Sequence, residues 1–254
     1  MKIYALMENI SHDECLACEH GLSLYIEADG KKILFDTGAS ENFAANAEKM
    51  GVDLKAVDFA AISHGHYDHG GGLAKFIEIN DHAPIYISNK GFNQYYSGTD
   101  FNVSIPEGLE GNPRFVLTSE PIKLSENITL LNCNDREAKY FADPYGLNKL
   151  VDGEFIPDDF LHEQYLIIEE NGKRIVISGC SHKGILNIME WLKPDILIGG
   201  FHFFRLTTEG EDAATLDKSA AILNEYGATY YTCHCTGTEQ YEYLKAQMPK
   251  LNYI

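Results

Sequence analysis

The chain has 254 residues, with 20 Lys and Arg against 38 Asp and Glu, so its formal charge is −18 with His neutral. A hydrophobic share of 44% beside 23% charged residues is globular composition with enough apolar material for a core. The acidic balance excludes a phosphate-backbone or anionic-membrane binder, both of which need clustered Lys and Arg.

No apolar run reaches the roughly 18 residues of a membrane-spanning helix. The start, MKIYALMENISHDE, lacks a basic stretch followed by an apolar one, as a secretory signal would have. Six Cys are too sparse for a disulfide scaffold. The expectation is a cytoplasmic protein with reduced thiols, acting on a small molecule, with neither nucleic acid nor membrane as partner and its oligomeric state open. Cys15 and Cys18 have Cys-x-x-Cys spacing with His20 close behind, which leaves a metal, a redox and a plain loop reading open.

In chain order, Lys2–Glu8 reads as a strand. Leu22–Ala28 and Lys31–Phe35 flank Asp29-Gly30, a strong short hairpin signal. A helix is predicted over Glu41–Met50, with Ser40 and Gly51 as its caps. Phe59–Ser63 is a short buried strand, Leu73–Ile79 a helix after three glycines, and Ile85–Ser88 a strand. Residues 90–160 are rich in Asn, Tyr, Phe, Gly and Pro, with strand candidates only at Arg114–Leu117 and Ile128–Leu131. They read as a loop-rich insert covering a pocket. Its rings, Tyr95, Tyr96, Phe141 and Tyr145, suit either stacking on a planar substrate or ordinary packing. A second hairpin follows, Gln164–Glu169 and Arg174–Ser178 about Asn171-Gly172. Then come a helix over Gly184–Leu192, a strand at Asp195–Ile198, a helix over Ala213–Tyr226, a strand at Thr229–Thr232 and a helix over Glu239–Gln247. Strands alternating with helices imply sheets inside and helices outside in one domain, 1–254.

The histidines carry the chemistry. His64, His66, Asp68 and His69 fall within six positions, between a buried strand and a helix, where α/β folds place their sites. An extended segment lets His64 and His66 face one point, and the turn into the helix lets Asp68 and His69 face a second. Imidazole and carboxylate at this density suit Zn, Fe or Mn rather than Ca or Mg. A polar turn with surface histidines is the bland alternative, and one His alone would favour it. Four further histidines lie at strand ends: His162, His182, His202 and His234. Their recurrence suggests convergence on one edge, whereas His12 and His82 read as surface residues.

His64-Gly65-His66-Tyr67-Asp68-His69 resembles the H-x-H-x-D-H signature of the metallo-β-lactamase superfamily. Leu34-Phe35-Asp36-Thr37-Gly38 resembles that family's strand ending in an Asp that supports the metal site. The order of His162, a hairpin and Cys180 is similar to its third and fourth motifs, and His234 stands where its last metal His falls. The resemblance runs from about Lys2 to Gly237. It implies an α/β fold, an αββα four-layer sandwich with two mixed sheets inside helices, and a binuclear site on one sheet edge. The family's bridging Asp falls on Cys180, with His182 two residues later. Either Cys180 supplies a thiolate or His182 takes over, and the reading favours His182 with Cys180 behind it. Glu19-His20-Gly21-Leu22-Ser23, Ser178-Gly179-Cys180-Ser181-His182, Gly199-Gly200-Phe201-His202 and His234-Cys235-Thr236-Gly237 resemble a narrower subgroup. It is named for a dihydropterin ribofuranosyl-aminobenzene phosphate synthase of methanopterin biosynthesis.

The resemblance implies two divalent metal ions, Zn first with Mn or Fe as alternatives. One would take His64, His66 and His162, the other Asp68, His69 and His234, with His182 between or beside them. A metal-bound hydroxide would attack phosphorus or a carbonyl, with Asp68 as proton acceptor. His202 resembles a His that handles the phosphate or leaving group in phosphodiesterase relatives, against the alternative of a buried His bonded to backbone. Arg205 and Lys183 are candidate phosphate contacts, and His20 a support of the site. The expected activity is hydrolysis or group transfer on a small phosphorylated or ester substrate, phosphoribosyl or pterin-related. The rivals are a glyoxalase-type thioester hydrolase, a mononuclear iron oxidoreductase and a non-catalytic metal-bound binding module.

Overall fold

Alternation along the strands sets the layering, since successive side chains of a strand point to opposite faces. Leu24, Ile26, Ile33 and Phe35 meet Leu166, Ile168, Ile175 and Ile177 in one fully buried layer. Their alternates divide: Tyr25 and Leu34 join Phe43 and Phe76, while Tyr165, Ile167 and Val176 join Ile188, Met189 and Leu216. The computed structural model describes residues 1–254 and has two sheets face to face with helices outside each, the expected αββα sandwich.

The first sheet has six strands in the order Lys2–Met7, Ser23–Ala28, Lys31–Phe35, Phe59–Ala61, Ile85–Ser88 and Phe115–Thr118. The second has seven, in the order Leu251–Tyr253, Thr229–Thr232, Ile196–Ile198, Lys173–Ile177, Tyr165–Glu170, Ile128–Leu131 and Ile122–Lys123. Each joins an antiparallel hairpin to a run of parallel strands. Helices Asn42–Lys49 and Leu73–Ile79 cover the first sheet. Helices Ile185–Leu192, Gly210–Glu225 and Thr238–Lys245 cover the second. Five predicted helices are present with ends shifted by at most three residues, as fraying ends allow.

Segment 90–160 is more ordered than its composition suggests. Phe115–Thr118 closes the first sheet, and Ile122–Lys123 with Ile128–Leu131 closes the second. The rest contains a separate antiparallel sheet, ordered Glu154–Pro157, Leu147–Val151, Tyr95–Ser97 and Phe101–Asn102. Its one legible signal is Asp152-Gly153. Positive φ at both residues, 51° and 85°, matches Asp29-Gly30 at 51° and 69° and Asn171-Gly172 at 53° and 73°, the geometry two-residue hairpins favour. This small sheet is pinned over the histidine segment, because Tyr67 N donates to Val103 O at 2.8 Å and Ile105 N to Gly65 O at 3.2 Å.

The layer between the sheets makes a direct prediction. Leu166 is fully buried there, so Leu166→Ala is expected to lower unfolding stability by about 2–5 kcal/mol in a urea titration. A loss below about 1 kcal/mol would mean that the layer is not tightly packed.

Candidate metal centre

The parallel strands of both sheets run out toward one edge, and the loops leaving them carry the polar residues. Ala61 ends its strand, the chain bends over Ser63–Gly65, His66 is extended (φ −99°, ψ 150°), and a short helix Tyr67–Gly70 begins. This change of conformation aims His64 and His66 one way and Asp68 and His69 another. Gly71 permits the tight entry, since a Cβ there would lie 2.2 Å from Ala39 O. Gly179 does the same across the edge, where a Cβ would meet Ser63 Oγ at 2.2 Å. Asp36, Ser181, His202 and His234 all hold positive φ, from 46° to 62°, strain of the kind that gathers at functional sites.

One group joins Asp68, His69, Cys180 and His234, whose ligand atoms lie within 4.8 Å of one another. His69 Nε2 is 3.2 Å from Cys180 Sγ and 3.2 Å from His234 Nε2. His234 Nε2 is 3.2 Å from Asp68 Oδ2. The tautomers follow from the hydrogen-bond network. His69 Nδ1 donates to Asp36 Oδ2 at 2.7 Å, and His234 Nδ1 donates to Asn9 Oδ1 at 2.7 Å. Both Nε2 atoms therefore turn lone pairs inward, toward a carboxylate oxygen and a sulfur. Three lone-pair groups, Asp68, His69 Nε2 and His234 Nε2, converge with the Cys180 thiol, whose pKa burial raises, a set that fits a cation once the thiol gives up its proton. Burial works against charge on His69, but the carboxylates of Asp36 and Asp68 outweigh it and raise its pKa. Burial would raise the Asp68 carboxyl, yet His69, His20 and His234 hold it well below the usual range.

The second group joins His64, His66 and His182. His64 Nε2 and His182 Nε2 approach to 3.2 Å, and His64 Nδ1 bonds Ser63 Oγ at 2.8 Å. His66 Nε2 and His182 Nδ1 are buried with no hydrogen-bond partner, orphaned nitrogens that again fit an ion. Burial lowers the pKa of His66 to about 3 and that of His234 to about 4, and takes His64 and His182 well below their usual value. All four are neutral at pH 7, the form that ligates metals.

The geometry differs from the expected partition. His182 shares a ligand group with both His64 and His66, whereas His162 shares one with His66 alone. His162 Nδ1 accepts from Gly65 N at 2.8 Å and its Nε2 donates to Asp158 Oδ2 at 3.0 Å, so both nitrogens are engaged. It forms a third group with Asp158 and His66, with Asp158 Oδ2 4.0 Å from His66 Nε2. Cys180 is not behind His182 either, because its sulfur faces the other group.

Two cavities meet at the centre. The smaller, about 180 Å³, is lined by His20, His66, Asp68, Cys180, His202 and Arg205 among others. His20 Nε2 lies 3.4 Å from Asp68 Oδ2. The larger, about 430 Å³, shares His182 and His202 with the first. The His202 ring packs against rings, 4.3 Å from His182, 5.4 Å from Phe204 and 5.6 Å from Tyr145. Burial, with Arg205 and His234, lowers its pKa to about 3. Arg205 lies over Phe204 and reaches Ser97 Oγ at 3.4 Å. Lys183 faces away, its ammonium held by Asn132 O, Asn134 Oδ1 and Glu163 O at 2.6–3.0 Å, which leaves no donor for a phosphate. Tyr95 is likewise structural, stacked on His162 at 4.0 Å. Cys15 and Cys18 are exposed and outside every ligand group.

Several supporting residues escape sequence reasoning. Glu163 is fully buried and accepts from His182 N at 2.7 Å, Lys183 N at 3.0 Å and Tyr165 Oη at 2.7 Å. Glu8 accepts from His234 N and from Tyr253 Oη. Asp158 had a faint signal, an acid four residues before His162, while Glu8, Asn9 and Glu163 had none.

The metallo-β-lactamase superfamily model matches residues 17–216. The 7,8-dihydropterin-6-methyl-4-(β-D-ribofuranosyl)-aminobenzene-5'-phosphate synthase of Methanocaldococcus jannaschii is 31% identical, over 93% of this chain and 88% of its own length. An uncharacterized protein of the same organism is 29% identical over 92% of this chain and 90% of its own. The crystal structure of Tm1679, described as a metal-dependent hydrolase of the β-lactamase superfamily, superposes with a TM-score of 0.80 at 28% identity. That match covers 99% of this chain and 94% of the other.

The two groups separate by mutation. His182→Ala is expected to lower the metal content per chain by elemental analysis, whereas His162→Ala leaves it unchanged. Loss of metal from His162→Ala alone would restore the original partition. Asp36→Asn, which removes the carboxylate fixing His69, should weaken metal affinity by about 10–100-fold in a competitive chelator titration.

Proposed function

Because the chain belongs to the metallo-β-lactamase superfamily, we propose that it is a metal-dependent hydrolase or transferase of a small phosphorylated or ester substrate. The observation that carries this reading is the convergence of Asp68, His69, Cys180 and His234 beside His64, His66 and His182, five of which, Asp68, Cys180, His234, His66 and His182, line an open cavity while His64 and His69 lie behind it. Seven buried ligand-type groups around a space that a substrate can enter suit catalysis better than a sealed structural site. Two divalent ions, zinc first, would be held by these two groups. When bound, they lower the pKa of water and neutralise charge developing on oxygen.

The chain's own residues divide the remaining work. Asp68 Oδ2 sits 3.2–3.7 Å from His20, His69 and His234. A carboxylate in that place accepts the proton released by an attacking water. His202 is neutral at pH 7 and stands on the wall shared by both cavities. It serves there as an N–H donor to a substrate oxygen, and takes up a proton once an anionic substrate raises its pKa. Arg205, exposed at the mouth, gives a guanidinium to an incoming phosphate. The name of the Methanocaldococcus jannaschii relative supports a phosphoribosyl or pterin-related substrate.

A panel of phosphomonoesters, phosphodiesters, thioesters and lactones assayed with zinc- and manganese-loaded protein tests the reading. Turnover is expected with a phosphoester and lost after chelation. His202→Ala should keep its metal content while kcat falls by about 10²–10⁴-fold. Full activity in that variant removes His202 from the mechanism, and turnover of thioesters alone favours the glyoxalase-type rival.

A further inference from the structure

We propose that the 430 Å³ cavity beside the metal centre binds a flat aromatic group carrying an acidic substituent, with the substituent at Lys218. The volume falls within the roughly 300–1,000 Å³ of small-molecule sites. Tyr145, Ile185, Leu186 and Phe203 supply apolar and aromatic wall, and His182 with His202 closes the end toward the metals. A ring seated here has one edge against the wall that both cavities share.

Phe141 sets the rim. It is 89% exposed, the most exposed of the large hydrophobic residues. The strap that carries it is held by fully buried Asn187. Its Oδ1 accepts from Lys139 N at 3.0 Å and Tyr140 N at 2.8 Å, and its Nδ2 donates to Tyr140 O and Lys183 O, both at 2.8 Å. The backbone is thus pinned one residue before Phe141, whose exposed ring is on the lining of the cavity with surface still to bury.

Lys218 gives the charge preference. It lies on the wall contributed by helix Gly210–Glu225. Its neighbour Asp217 is turned to Tyr243 Oη and Gln247 Nε2, at 2.9 and 2.8 Å. Asp143, also on the wall, accepts Tyr145 N at 2.7 Å through Oδ1 and keeps its charge, so the acidic substituent is placed at Lys218 and away from Asp143. Lys218, the one Lys or Arg of this wall, favours an anionic ring system locally, against the chain's overall charge of −18. That this ring is an arm of the substrate rests on the hydrolase reading above, whereas its binding does not.

The test titrates naphthalenesulfonate and naphthylmethylammonium, one ring system with opposite charges, into the full chain by calorimetry. The sulfonate is expected to bind at least about tenfold tighter than the ammonium. Lys218→Glu should erase or invert that preference, and Ala214→Trp, which fills the cavity from an exposed helix position, should abolish binding of both. No sulfonate binding, equal affinities in the unaltered chain, or unchanged binding in Ala214→Trp overturns the proposal. The readout needs no turnover. A chain that binds the sulfonate but hydrolyses nothing keeps this site and loses only the hydrolase reading. A chain that hydrolyses phosphoesters but binds no sulfonate loses only this site.

Discussion

The buried carboxylate of Asp36 is the constraint on which the site depends. It accepts from Ser63 N at 2.6 Å, from Ser63 Oγ at 2.7 Å and from His69 Nδ1 at 2.7 Å, with no exposure to solvent. Three donors satisfy a group that would be costly to bury unpaired. In doing so they fix where the strand Phe59–Ala61 ends and which nitrogen of His69 carries its proton. Ser63 Oγ extends the network to His64 Nδ1 at 2.8 Å, so one carboxylate orients a residue of each ligand group. The backbone of Ser63 in turn accepts from Gln164 N at 2.8 Å, and the Gln164 side chain links Thr118 Oγ1 with Ile62 O, each at 2.7 Å. The same point therefore ties the two sheets together at the edge where their loops meet.

The centre is a local violation of the rules that stabilise the rest of the fold. Elsewhere buried polar atoms are paired and apolar residues fill three layers, yet here acceptors face acceptors and two imidazole nitrogens have no partner. Non-glycine residues hold left-handed conformations at the same edge. Such an arrangement persists only because its surroundings over-determine it. Glu163 anchors the loop of His182 and Glu8 the loop of His234, each through a backbone N–H. The two ligand-bearing loops of the second sheet are thus held by carboxylates that never face the cavity.

Much of this was legible in the residues. Leu22–Ala28, Lys31–Phe35 and Arg174–Ser178 were readable as strands, and Asp29-Gly30 and Asn171-Gly172 marked both main hairpins. His64 to His69, Asp36, His182, His202 and His234 all lie at the edge that their strand-end positions indicated. What sequence could not supply was which histidine pairs with which. His162 and His182 flank the same hairpin at similar distance, and only the donor from Gly65 N and the acceptor on Asp158 distinguish them. The covering sheet was obscured for another reason. Its strands are short, from two to five residues, and half exposed, so they carry little hydrophobic pattern. Glu8 and Glu163 act through backbone contacts across 226 and 19 residues, a relation no local motif encodes.

The same long-range logic separates chemistry from recognition. The ligand groups are built on strand ends and a short helix, each braced by buried carboxylates and amides, the rigid support that a reacting centre needs. The walls beyond His182 and His202 come instead from the strap 139–145 and the exposed face of helix Gly210–Glu225. Apart from the Asn187 clamp, these surfaces carry few constraints from the core, so their residues can change without disturbing the tautomers of His69 or His234. A fold arranged in this way keeps one reactive edge while its substrate varies. Family membership therefore bears on the ligand groups at this edge, and the side chains around Phe141 and Lys218 vary independently of them.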